Sequence, residues 1–176
     1  MGKVLNIAYV AGGSPHTLDP FYSLLKSKHK LRIVCTKKSL ISGRSKKKVN
    51  NLLLDEANNN NITCITPNNF KEAENISKFK NLNLDLAIVF SYGLLLPKDF
   101  LSIPKYGCIN IHTSLLPKWR GASPVQQVLM NNEKESGFTF ILMNEGLDEG
   151  DIIYKKKIIV CQDDNYGTLL NKITKL

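Results

Sequence analysis

Residues 84–90, Leu-Asp-Leu-Ala-Ile-Val-Phe, are almost continuously apolar. A strand with one face in water alternates apolar and polar side chains, whereas a run like this has to be covered on both faces, as in the centre of a parallel sheet. Other apolar runs recur along the chain, most of them closed by turn residues. Residues 4–11 lead into Gly12-Gly13-Ser14-Pro15, residues 30–35 into a polar, basic stretch over 36–48 that reads as a loop, residues 62–66 into Pro67, and residues 106–112 into a loop with Pro117, Gly121 and Pro124. These read as strands. Between them lie helical spacings. The first opens at Asp19-Pro20, read as N-cap and first helical position, and passes through Leu24-Leu25 to about residue 28. A second covers 49–58, with Leu52, Leu53 and Ala57 in phase and an asparagine run to end it, and a third covers about 69–80. A helix over 125–130, strands over 137–143 and 152–160, and a helix opening at Tyr166 complete the order.

Strands alternating with helices predict an α/β domain. Its architecture is Rossmann-like, a mostly parallel twisted sheet with helices on both faces and right-handed crossovers. The last two strands lack a helix between them, which suits an antiparallel pair. The 176 residues, 43% hydrophobic and 22% charged, fit one globular domain. No apolar run approaches the roughly 20 residues of a membrane span. The start is too short and too soon interrupted by Asn6 for a secretory signal, and Asn6 also spoils a myristoylation pattern. A cytoplasmic location is expected.

Cys35, Cys64, Cys108 and Cys161 form no close pair and sit in or beside apolar runs, so they read as buried free thiols rather than as a zinc site or disulfides. Net charge is +9, from 24 Lys and Arg against 15 Asp and Glu. That balance suits a polyanionic partner or an anionic substrate, and equally a lysine-rich surface with no partner.

Histidine is scarce. His29, between Lys28 and Lys30, reads as solvated, and His16 follows the first strand's turn, from where a side chain can line a site. His112 ends the run Cys108-Ile109-Asn110-Ile111, and strand alternation points Asn110 and His112 to the same side. Ligand crevices of open parallel sheets lie beyond the carboxyl ends of strands. An amide beside an imidazole there can polarise a carbonyl oxygen. From these residues alone, a purely structural hydrogen-bonding pair stands as an equal alternative.

Two longer stretches tip that balance. Residues 110–124 read Asn-Ile-His-Thr-Ser-Leu-Leu-Pro-Lys-Trp-Arg-Gly-Ala-Ser-Pro, and residues 143–152 read Met-Asn-Glu-Gly-Leu-Asp-Glu-Gly-Asp-Ile. Together they closely resemble the two signatures of the 10-formyltetrahydrofolate-dependent formyltransferases, and Ser-Leu-Leu-Pro followed by a basic residue, an aromatic, Arg and Gly resembles the branch that acts on methionyl-tRNA. The resemblance runs from about Asn6 to the end and includes Ser91-Tyr92-Gly93 and Leu96-Pro97.

It implies a formyltransferase fold and a catalytic trio of Asn110, His112 and Asp148. It also implies a formyl donor, 10-formyltetrahydrofolate, held near Ser114, Leu115, Leu116, Pro117, Leu94, Leu95 and Asn144, with no metal. Without the resemblance, Asp148 reads as a turn residue between Gly146 and Gly150. The implied partner is initiator methionyl-tRNA, met in this branch by a long basic loop, here Arg44, Lys46, Lys47 and Lys48 within 43–48. A solvated charge run is the plainer reading of that loop taken by itself. Lys155, Lys156 and Lys157 read as solvating a sheet edge. The chain is expected to be a monomer.

The family pattern departs in two places. Gly13-Ser14-Pro15 is followed by His16-Thr17-Leu18-Asp19-Pro20 instead of the usual aromatic-rich lead into the helix, and the family's C-terminal β-barrel is absent. Residues 1–176 are therefore read as a catalytic domain truncated at its C-terminal end, with Leu170, Ile173 and Leu176 as an exposed stripe. Formylation of a glycinamide ribonucleotide or amino-sugar nucleotide, hydrolysis of the donor, and a non-catalytic nucleotide- or RNA-binding role are the alternatives.

Overall fold

The computed structural model describes residues 2–38, 40–42, 47–70 and 73–176. Seven strands form one sheet: β1 (Asn6–Ala11), β2 (Lys30–Cys35), β5 (Cys64–Ile65), β6 (Leu86–Phe90), β7 (Cys108–His112), β8 (Glu135–Leu142) and β9 (Asp151–Ile159). Their order is β5-β2-β1-β6-β7-β8-β9. Pairing is parallel from β5 to β7, and β7–β8 and β8–β9 are antiparallel. The run over 84–90 thus becomes β6, flanked on both sides by parallel neighbours.

Both faces of the sheet are covered, as that run requires. Along β1, Ala8 and Val10 pack on one side with Phe79 of α3 (Ala73–Lys80) and Phe100 of α4 (Lys98–Leu101). Tyr9 and Ala11 pack on the other with Phe21 of α1 (Leu18–Lys26) and with Leu53 and Ala57 of α2 (Leu52–Asn59). A third cluster joins Val125 and Val128 of α5 (Pro124–Met130), Phe138 of β8, and Leu169, Leu170 and Ile173 of α6 (Tyr166–Thr174). Among the described residues no helix is long and apolar enough to cross a membrane.

Asparagine does much of the punctuation. Asn61, Asn83 and Asn132 take left-handed backbone angles just after α2, α3 and α5. Asparagine tolerates this conformation better than most residues and closes helices with it. After α2, the Ile62 amide donates to the Ala57 carbonyl at 2.8 Å.

Several expectations change. The first helix is entered through a 3₁₀ turn (Pro15–Thr17) with Thr17 at the N-cap, so Asp19-Pro20 lies inside it, and the Asp19 carboxylate accepts from Thr174 Oγ1 at 3.0 Å. Part of the basic stretch read as loop is a two-stranded antiparallel hairpin, β3 (Leu40–Ser42) with β4 (Lys47–Val49). The second helix consequently begins only at Leu52, where the Asn51 side chain accepts from the Leu54 amide. Lys98–Leu101 is helical, a turn too short to show a period in the sequence.

The terminal stripe is not exposed: Leu170 and Ile173 are buried against α5 and β8, and Leu176 alone of the three is open to solvent. Cys161 is exposed and accepts from Lys172, whereas Cys35 and Cys108 are buried as expected. His29 is not simply solvated, since its Nδ1 accepts from the Leu5 amide at 3.1 Å.

Candidate active site

The strand order reverses direction between β1 and β6. At such a switch point the turns leaving neighbouring strands diverge and leave a crevice. Here the crevice is a cavity of about 540 Å³, within the usual size of small-molecule sites. It is walled by the exits of β1, β6 and β7, by the loop before α5 and by the turn after β8. The β1 and β6 turns touch: a Cβ on Gly12 would lie 2.6 Å from the Ser91 carbonyl oxygen, so this close approach requires glycine.

At the cavity floor, β7 presents Asn110 and His112 on one side, as alternation requires, and the turn after β8 brings Asp148 to them. Asn110 Nδ2 donates to Asp148 Oδ1 at 3.1 Å. Asp148 Oδ2 accepts the Gly121 amide at 2.9 Å and lies 3.3 Å from His112 Nδ1. The ring's other nitrogen, Nε2, is 2.8 Å from the Trp119 carbonyl oxygen. A carbonyl only accepts, so Nε2 carries a proton. The His112 and Asp148 side chains are 6% and 10% exposed, enough shielding for these polar contacts to be stronger than in water.

Around this trio the backbone is held in unusual conformations. Ser91, Ser123 and Asp148 line the cavity with φ of 51°, 65° and 50°, and Trp119 sits at 60°. Left-handed angles at such residues cost free energy and persist where surrounding contacts over-determine them.

The structure brings together Asn110, His112 and Asp148 and sets Leu94, Leu95 and Asn144 on the same cavity's wall. It does not bring the Ser-Leu-Leu-Pro stretch there. Ser114 is fully buried with its hydroxyl on the Lys118 carbonyl, Pro117 is exposed, and Leu115 and Leu116 wall a second cavity on the far side of the loop. Arg44 and Lys46 lie outside the described residues, and Lys47 and Lys48 are in β4. Lys155 does more than solvate an edge, because its ammonium donates to the Leu116 carbonyl.

Two contributors had no signal in residue identity, the Gly121 amide and the Trp119 carbonyl. His16 did have one, its place after the first strand, and it lines the cavity. Its Nε2 is 3.1 Å from Ser91 Oγ, and its ring packs edge-on to Phe90 at 5.5 Å. Burial holds its imidazole below the ordinary histidine range. A depressed folded-state value means that the unfolded chain takes up the proton first, so this site's stability is complete above the unfolded pKa and is lost as pH falls through the folded one. Between about pH 7 and about pH 5, wild type is expected to lose more stability than His16→Gln. Denaturant titrations at both pH values check this, and equal losses would show that His16 is indifferent to its surroundings.

The sheet is covered on both faces and carries Asn110, Asp148 and His112 at its switch point. The pattern of the formyl transferase family matches residues 5–176, and the chain belongs to that family. It is 42% identical over 165 residues to the methionyl-tRNA formyltransferase of Wolbachia sp. subsp. Drosophila simulans (strain wRi), across 93% of this chain and 55% of that protein. It is 39% identical over 171 residues to the methionyl-tRNA formyltransferase of Legionella pneumophila (strain Corby), across 97% and 54%. The chain thus spans about half the length of the curated relatives it matches. Among solved structures, glycinamide ribonucleotide transformylase 1 from Symbiobacterium toebii superposes with a TM-score of 0.82 over 99% of this chain and 82% of that one. At 20% identity that likeness concerns the fold.

Proposed function

We propose that this domain transfers a formyl group from 10-formyltetrahydrofolate to the α-amine of initiator methionyl-tRNA. The carrying observation is the Asn110–Asp148 hydrogen bond with His112 3.3 Å from the same carboxylate, at the floor of a cavity with an apolar rim. Leu94, Leu95 and Leu147 are 40%, 83% and 61% exposed on that rim, where the donor's flat ring can cover them, and Asn144 supplies polar recognition.

The amine nitrogen attacks the formyl carbon and a C–N bond forms. The carbonyl oxygen becomes an oxyanion, the bond to the folate nitrogen breaks, and that nitrogen takes up a proton while the amine gives one up. One Asn110 Nδ2 hydrogen is held by Asp148, and the second is free for the oxyanion. The His112 Nε2 proton, shared with the Trp119 carbonyl at rest, is the other donor. Preorganised donors of this kind are each worth ~10²–10³ in rate. Asp148 orients the ring and, through a water, receives the amine's proton. Holding two large substrates together supplies much of the rest.

The proposal is tested by incubating the protein with labelled 10-formyltetrahydrofolate and charged tRNA, with parallel reactions containing glycinamide ribonucleotide or neither acceptor. Label on the methionyl amine supports the reading, and label on the ribonucleotide or released as formate replaces it.

The tRNA contact is assigned to Arg44, Lys46, Lys47 and Lys48, because clustered cations bind phosphates and release counterions. Replacing the three lysines by alanine is expected to weaken tRNA binding and flatten its salt dependence. On logarithmic axes the slope changes by up to ~0.7–0.9 for each phosphate that is no longer neutralised. An unchanged slope leaves these lysines as solvated surface.

A further inference from the structure

On the far side of the loop that carries Trp119 lies a second cavity, of about 470 Å³, distinct from the one above the trio. We propose that it is a binding site for a small carboxylate with a flat apolar body. Leu115, Leu116, Val128 and the Trp119 side chain supply apolar wall, and Lys118, Lys155, Lys157, Glu133, Glu135 and Ser136 the polar remainder.

Three observations give the ligand its chemistry. Among the described residues, the buried side-chain polar atoms without a hydrogen-bond partner are Trp119 Nε1 and Ser136 Oγ, and both residues wall this cavity. Ser136 is 1% exposed. A buried polar group without a partner costs free energy, and here one is an obligate donor and the other a hydroxyl that can donate, so a ligand whose acceptor oxygens press in as far as these atoms would satisfy both. Second, Lys118 pairs with Glu133 at 2.9 Å and Lys157 with Glu135 at 2.7 Å. Lys155 has no carboxylate partner among the described residues, and its ammonium reaches the Leu116 carbonyl instead. The wall therefore carries one uncompensated positive charge, which selects an anion over a neutral acceptor. Third, the leucines, Val128 and the indole match an apolar body rather than a bare inorganic anion.

The site is also joined to the trio. The residue whose indole walls it, Trp119, accepts the His112 Nε2 proton on its carbonyl.

Trp119 is the only tryptophan of the chain, so one indole N–H signal reports on the site directly. Benzoate is titrated into ¹⁵N-labelled protein, with benzyl alcohol as the neutral control. The indole cross-peak is expected to move downfield with benzoate and to stay in place with benzyl alcohol. Lys155→Met, an exposed position outside the trio, should weaken benzoate binding by roughly tenfold, the loss of one charge-assisted contact, and Lys155→Arg should restore it. Ser136→Ala should weaken it by a smaller factor. A cross-peak unmoved by millimolar benzoate means that the hollow is filled by water alone and overturns the proposal. Equal responses to both probes, or full affinity in Lys155→Met, overturn the carboxylate assignment. The readout is binding, so it stands or falls apart from the formyl-transfer reading.

Discussion

Replacing His112 by alanine is expected to lower turnover by ~10²–10⁴ while leaving the fold intact, the range for losing a positioned acid and oxyanion donor together. The ring is held at both ends, by Asp148 at 3.3 Å and by the Trp119 carbonyl at 2.8 Å, so it is fixed before any substrate arrives. Fixed donors act on the transition state without having to reorganise, which is why their removal appears in turnover rather than in affinity. Asp148 keeps two of its partners in the variant, the Asn110 amide and the Gly121 N–H, so its carboxylate is not abandoned in the interior. Single-turnover rates at saturating donor, with circular dichroism to confirm the fold, make the measurement. A wild-type rate would remove His112 from the chemistry and leave it as a spacer between β7 and the Trp119 loop.

How legible this site was in the sequence depends on which atoms build it. Asn110 and His112 follow from alternation along an apolar strand, and strand ends are where parallel sheets open, so their pairing was readable from spacing. Asp148 was not, because an acid between two glycines describes many turns. Its role entered through the resemblance, and its φ of 50° belongs to the geometry that folds the turn back onto β7. The Gly121 amide and the Trp119 carbonyl are backbone groups that every residue possesses, so no residue type could have announced them. Leu115 and Leu116 stand apart for another reason. They sit in a signature adjoining the trio, yet the loop turns there and its two sides face different cavities.

The same logic governs the fold. The doubly buried run over 84–90 marked the centre of the sheet because it fixes burial on both faces by itself. The stripe of Leu170 and Ile173 looked exposed because its cover comes from Val125, Val128 and Phe138, far away in sequence. The β3–β4 hairpin lacks apolar alternation and owes its form to pairing between two short segments, Leu40–Ser42 and Lys47–Val49.

Asp148→Asn is the second large effect expected, a fall in turnover of ~10² or more with affinity for the formyl donor nearly unchanged. The substitution preserves shape, and asparagine tolerates the left-handed backbone at this position as aspartate does, so the turn stays in place. Its hydrogen-bonding pattern changes. The carboxylate accepts at both oxygens, from Asn110 on one and from Gly121 on the other, and the second oxygen lies 3.3 Å from His112 Nδ1. An amide has one oxygen. If that oxygen takes the Gly121 side, the new NH₂ group meets the Asn110 NH₂ group, and relief requires Asn110 to flip and turn its donor away from the reacting oxygen. If it takes the Asn110 side, the NH₂ group faces the Gly121 N–H, two donors meet, and the Asp148 side chain no longer holds the ring through an accepting oxygen. Each arrangement spoils one of the two oxyanion donors. On the proposed reading the donor's ring rests on Leu94 and Leu95, cavity-lining side chains that the substitution leaves unchanged. Affinity for 10-formyltetrahydrofolate by calorimetry, beside single-turnover formyl transfer at saturating donor, separates the two effects. A collapse of affinity with a normal single-turnover rate would place Asp148 in binding rather than chemistry, because a carboxylate that only shapes the pocket acts before the bond-making step.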